Sequence, residues 1–232
     1  IPARPATPAA TGMNETSFGQ GDGSISGIST VMEYKAGAGG SWQAVTGTEL
    51  TGLAAGTYTI RIKATVSNFK SLEQEIVLSN GPKLSVSFEE NGGSAIDNIA
   101  DLSYNAIISA PTAPTKEGYT FAGWYKEAGC TNAWDFATDK VTTNINLYAK
   151  WTINQYTVVF DSNGGSAVSN QTVDYNTAAT QPSAPTKTDY TFNGWYSDSG
   201  LLTRFNFATP VTGDITLYAK WTRNHDDSAG TV

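Results

Sequence analysis

The chain has 232 residues, a net charge of −7 and only 15% charged residues. That length holds one to three domains, and the supply of aromatic and β-branched residues argues against a disordered chain. Lysine and arginine form no basic patch, which argues against nucleic acid and against anionic membrane surfaces as partners. No apolar run is long enough to span a bilayer, and no export signal stands at Ile1. The expectation is an internal fragment of a longer protein, with export and anchoring signals elsewhere.

In chain order, the Pro- and Ala-rich opening 1–11 reads as linker. Residues 12–81 read as one module with strands at Ser29–Lys35, Trp42–Val45, Thr57–Thr65 and Glu73–Leu78. Within it Tyr58, Ile60, Ile62, Ala64 and Val66 alternate with Thr59, Arg61, Lys63 and Thr65, the period of a strand with one wet face. Gly37–Gly40 and Ala54–Gly56 mark turns. Short strands with frequent turns predict a β-sandwich-like module. Its run Gly56–Ala64 resembles the late strands of immunoglobulin- or fibronectin-like modules of bacterial surface proteins, where the Tyr packs at a sheet corner.

Asn80-Gly-Pro82 is a hinge, and beyond it the sequence repeats itself. Asn91–Ala95 matches Asn163–Ala167, and Ala113–Lys116 matches Ala184–Lys187. Tyr119–Tyr125 matches Tyr190–Tyr196, and Leu147–Thr152 matches Leu217–Thr222. Each copy is about 70 residues, a size that folds alone. Predicted strands are Leu84–Phe88 and Tyr156–Phe160, segments around Tyr104 and Tyr175, then Tyr119–Tyr125 and Tyr190–Tyr196, and last Ile145–Trp151 and Ile215–Trp221. The paired glycines of Asn-Gly-Gly are read as permitting positive φ for a sharp turn. Pro111, Pro114, Pro182 and Pro185 exclude a regular helix from the crossover. The copies are joined only by Ile153-Asn154-Gln155, so their mutual angle is expected to be restricted. The tail 223–232 reads as loose.

These motifs, in this order and with Trp134-Asp-Phe136 and Phe205-Asn-Phe207 between them, resemble the Listeria–Bacteroides repeat, or internalin-type B repeat. The resemblance covers both copies. The first copy departs by one extra residue before Tyr104, one near Lys140, and Leu84 where the second has Tyr156. The resemblance implies two small β-grasp-like (ubiquitin-like) domains, 83–152 and 156–222, of a kind found in tandem in secreted or wall-attached bacterial proteins, Gram-positive ones included. It implies a spacer or adhesion role without catalysis and without cofactor.

Little in the sequence points to chemistry. His225 is the one histidine and Cys130 the one cysteine, so histidine zinc sites, thiolate clusters and an intrachain disulfide are excluded by count. Cys130 aligns with Leu201 and reads as a filler. Glu89-Glu90 and Asp161-Ser162 beside the Asn-Gly-Gly turns lack a calcium-loop spacing and read as solvated. Lysines and asparagines are available for a Lys–Asn cross-link that would stiffen a stalk. Trp124-Tyr125 and Trp195-Tyr196 are the candidate ligand-binding residues: neighbours on a strand face opposite sides, one to the core and one free to stack on sugar or protein. Trp151 and Trp221 are expected in the core or at a junction with the next module. The reading is a mainly β, monomeric, non-catalytic fragment of a cell-surface or secreted protein, acting as a spacer. The rival is a module binding a host-surface protein or glycan through exposed aromatics.

Overall fold

The computed structural model describes residues 2–224, and among them there are strands and turns but no helix. The chain divides into two compact units. One holds the chain up to Asn91 together with Ala95–Thr112 and Trp124–Ala149; the other holds Gly92–Ser94, Ala113–Gly123 and the chain from Lys150 onward. The division runs through the first repeat.

In the first unit, strands β1 (Thr11–Met13), β2 (Gly23–Ser26), β3 (Met32–Ala36), β4 (Gln43–Ala44), β5 (Glu49–Leu53), β6 (Gly56–Ile62) and β7 (Gln74–Leu78) make two antiparallel sheets. Their orders are β1-β2-β5 and β4-β3-β6-β7. Ile25 and Leu53 of one sheet meet Ile60, Ile76 and Leu78 of the other in a shared core, which makes this module a sandwich. The alternation read from Tyr58 holds through Ile60, then stops at Ile62. There the Ile62 N–H is taken by the Ser71 hydroxyl at 2.8 Å, and Thr65 Oγ1 accepts the Asn68 N–H of a turn. Val66 is consequently outside the sheet and fully exposed. The Tyr58 hydroxyl donates to Ala54 O at 2.9 Å, a bond back across the corner between β5 and β6 that recurs in immunoglobulin-like sandwiches.

Three strands of this module had no sequence signal. Ala10, inside the segment expected as linker, is buried because its N–H and C=O pair with the Gln74 side-chain amide, both at 2.8 Å, and β1 follows at once. In β2, a Cβ on Gly23 would lie 2.8 Å from Leu53 O, so glycine, a poor strand former, is what lets β5 approach. Its partner β5 carries Gly52 at φ +70.

The first repeat contains β8 (Leu84–Glu89), β9 (Ile99–Leu102), β10 (Tyr119–Tyr125) and β11 (Ile145–Ile153) in the order β10-β11-β8-β9. The second contains β12 (Gln155–Asp161), β13 (Gln171–Asp174), β14 (Thr177–Ala178), β15 (Tyr190–Tyr196), β16 (Pro210–Val211) and β17 (Ile215–Arg223), with β13-β12-β17-β15 in one sheet and β14-β16 in another. In each repeat the first and last strands are parallel and central, and β9 and β13 lie antiparallel to the first. A parallel pair requires a crossover, and here the proline-bearing loop supplies it in place of a helix. This is the strand order of a β-grasp sheet. The second strands end before Tyr104 and Tyr175, because Asn105 and Asn176 turn the chain at φ 63 and 60. The last strands run two residues beyond the tryptophans that were expected to close them. His225 and most of the tail lie outside the described residues.

Candidate functional site

The repeated motifs meet one another in space. In the second repeat Asn163 (φ 50) and Gly164 (φ 82) turn the chain after β12, and the Asn163 amide donates to Ala219 O at 2.7 Å. The Lys187 ammonium donates to Asn163 O at 2.8 Å. It lies 4.6 Å from the centre of the Tyr190 ring and 5.7 Å from that of Trp221, a cation held against two π-faces. The Trp221 indole N–H donates to Ser162 O at 2.8 Å, and Thr186 exchanges main-chain and hydroxyl bonds with Ser166. The first repeat shows four of these contacts at matching positions. Asn91 reaches Ala149 O at 2.7 Å, Lys116 lies 4.6 Å from the Tyr119 ring and 5.8 Å from Trp151, and Ser94 pairs with Thr115. The spacing of the motifs is therefore that of a clasp joining the first turn, the Lys loop and the last strand of each repeat.

The clasp also refines the reading of Asn-Gly-Gly. Positive φ falls on the asparagine and the first glycine. The second glycine of the later copy, Gly165, is needed for space: a Cβ there would lie 2.5 Å from the Trp221 ring. Trp151 packs edge-on against Phe121 at 5.5 Å, and Trp221 does the same against Phe192. Both tryptophans thus serve their own repeats.

The candidate ligand residues separate by face. Trp124 and Trp195 are 4% and 2% exposed, edge-on to Phe88 at 4.7 Å and to Phe160 at 4.9 Å, and have no open ring face for a ligand. The cause in β15 is a bulge between Phe192 and Trp195 at Gly194 (φ 113), which re-aims Trp195 so that it and Phe192 share the inner face. Tyr125 and Tyr196 are half-buried on the other side. Tyr196 is the cross-strand partner of Tyr218, and Lys220 lies 4.8 Å from the Tyr196 ring. Tyr218 and Lys220 belong to this outer face and were missed in the sequence. The burial of Leu217 and Ala219 assigns them to it by the two-residue period.

The remaining candidates serve turns. Glu90 accepts the Ile96 N–H at 2.7 Å and Asp161 the Asn163 N–H at 2.8 Å. Cys130 is half-buried in a turn at φ 48, and Leu201 holds the matching turn at φ 55. No group of three or more metal-ligating side chains occurs among the described residues. The Asn163 amide, engaged with Ala219, takes no part in a bond to Lys187.

Opposite each of these turns stands a carboxylate. Glu127 accepts from the Thr131 hydroxyl, from the Asn132 N–H at 2.7 Å and from the Thr131 N–H at 2.8 Å. These bonds, the Thr131 hydroxyl first, hold its carboxyl down from the ordinary 4.5 to about 2. Asp198 is lowered in the same way by the Thr203 and Leu202 N–H groups. A carboxylate lowered on folding adds stability above its unfolded value and loses it as pH falls toward the folded one. Thermal melts from above pH 4.5 down to about pH 2, the interval bounded by those two values, are expected to show an acid-side decline that Glu127→Gln makes shallower.

The fold and the clasp define a class, a small β-grasp-like repeat built in tandem. The Listeria-Bacteroides repeat domain matches residues 85–150 and 156–220, and the chain belongs to that family. It is 50% identical over 141 residues, 60% of the chain, to a protein of Evansella cellulosilytica provisionally named a Gly-rich membrane protein. It is 47% identical over 140 residues, again 60% of the chain, to a provisionally named membrane protein of the same organism. It is 50% identical over 123 residues, 52% of the chain, to Internalin H of Listeria monocytogenes. The match takes up 16%, 21% and 22% of those relatives, so it spans less than a quarter of their length.

Proposed function

We propose that this chain is a non-catalytic spacer segment of a bacterial cell-envelope or secreted protein. In it a sandwich module (12–81) of immunoglobulin or fibronectin type precedes two repeat domains (83–152 and 156–222). The observation that carries this reading is the clasp: the lysines, tryptophans and asparagines that recur in both copies are engaged within their own repeats. Recurrence then reflects what each repeat needs to fold, and the array works through length and spacing. The names of the relatives, an internalin and two membrane proteins, support an envelope location. Replacing Ile153–Gln155 by a long Gly-Ser segment is expected to broaden the small-angle scattering profile and raise the radius of gyration. An unchanged profile would overturn the spacer reading.

A second reading rests on the outer face of the second repeat, where Tyr196 and Tyr218 are cross-strand partners beside Lys220. Such a face suits stacking on a sugar or on a host-surface protein. A screen against glycans and host proteins discriminates: saturable binding lost in Tyr196→Ala with the fold intact supports it.

A further inference from the structure

Each repeat makes a main-chain bond backwards through the tyrosine that follows its second strand. The Tyr104 N–H donates to Phe18 O of the preceding sandwich at 2.9 Å, and the Tyr175 N–H donates to Asn154 O, at the end of the preceding repeat, at 2.8 Å. Around Tyr175 the contact is built from side chains as well. Asn154 is itself fixed, its N–H on Gly118 O at 2.9 Å and its side chain accepting from the Thr120 hydroxyl at 2.7 Å. The Tyr175 hydroxyl is hydrogen-bonded to Glu117. Its ring lies directly over Gly118, which sits at φ +75; a Cβ there would fall 1.9 Å from Cδ1 of the ring. Glu117, Gly118, Thr120, Asn154 and Tyr175 all belong to the second compact unit.

The far end of the second repeat offers the same seat with one change. The Asn224 N–H donates to Asp189 O at 2.8 Å and its side chain accepts from the Thr191 hydroxyl at 2.7 Å, as Asn154 does with Gly118 and Thr120. Where the first repeat has Glu117-Gly118, however, the second has Thr188-Asp189, with Asp189 at φ 60. The backbone of the seat is repeated, but where the first repeat has a glycine with no Cβ under the Tyr175 ring, the second carries a side chain.

We infer that the turn residue after the repeat lysine decides whether the next repeat docks: Gly118 opens a socket for the tyrosine of a following repeat, and Asp189 closes the equivalent one. This inference rests on the spacer reading, whose restrained joint it explains. The partner for an open socket is another repeat of this family carrying a tyrosine after its second strand. A repeat placed after Asn224 does not seat its tyrosine in this way.

Gly118→Asp in the full chain is the test. Asp189 holds the matching turn, so the first repeat keeps its fold, which the Asn154 amide reports through its bond to Gly118 O. By hydrogen exchange the Tyr175 amide is expected to exchange about tenfold faster or more in the variant, with the Asn154 amide unchanged. Tyr175→Ala, which empties the socket from the other side, is expected to loosen residue 175 likewise, and Gly118→Ala serves if the aspartate variant does not fold. Equal protection of Tyr175 in native and folded variant chains would overturn the inference and leave the spacer reading in place. A Tyr175 amide that exchanges freely in the native chain would overturn both.

Discussion

Trp195→Ala is expected to destabilise the second repeat by about 3–5 kcal/mol, enough to unfold a domain of this size or nearly so. Trp195 is 2% exposed, meets Phe160 at 4.9 Å and Phe192 at 5.5 Å, and lies among Val158, Leu217 and Ala219. Its indole N–H has no hydrogen-bond partner, so the residue acts by volume and ring contact, and alanine would leave a cavity that the parallel strand pair cannot fill. Tyr196→Ala, one residue further on the outer face, is expected to cost about 1 kcal/mol or less. Denaturant unfolding of the two full-length variants checks both values. Similar small losses would show that Trp195 does not anchor the core of the repeat.

Gly165→Ala is the second large effect, about 1–3 kcal/mol by overpacking. The new methyl group would meet the Trp221 ring at 2.5 Å, Thr186 O at 3.1 Å and Ser162 O at 3.2 Å. Backbone stands on two sides, and the ring is pinned by its own bond to Ser162, so the clasp must open for the methyl to fit. Gly164→Ala, at φ +82 with only the end of the Lys187 side chain nearby at 3.4 Å, is expected to cost about 1 kcal/mol. Gly213→Ala, with nothing within 4 Å, is the near-neutral control. Chemical unfolding of the three variants should rank them in that order. A Gly165→Ala variant as stable as Gly213→Ala would show that the clasp is looser than its geometry.

What the sequence made legible follows from period and repetition. Tyr119–Tyr125 and Tyr190–Tyr196 are strands with the bounds read from their motifs, and Leu84–Phe88 is extended by a single residue. The family was legible because its motifs recur in order. The strands that escaped are held by features composition hides: a glutamine amide pairing with Ala10, and glycines in β2 and β5 where close approach outweighs propensity. The site was half legible. That one member of Trp195-Tyr196 faces the core follows from strand geometry, but which one depends on the bulge at Gly194, which shifts the alternation by one residue. The lysine between two rings lay outside local pattern because its partners come from separate strands.

The central claim is a restrained joint, and a distance distribution reads it most directly. Spin labels at Ala113→Cys and Ser199→Cys, in a Cys130→Ser background, place one probe on the Lys loop of the first repeat and one on an exposed turn of the second. Pulsed electron resonance on the full chain is expected to give a single narrow distance that broadens in Gly118→Asp. A broad distribution in the native sequence would contradict the account.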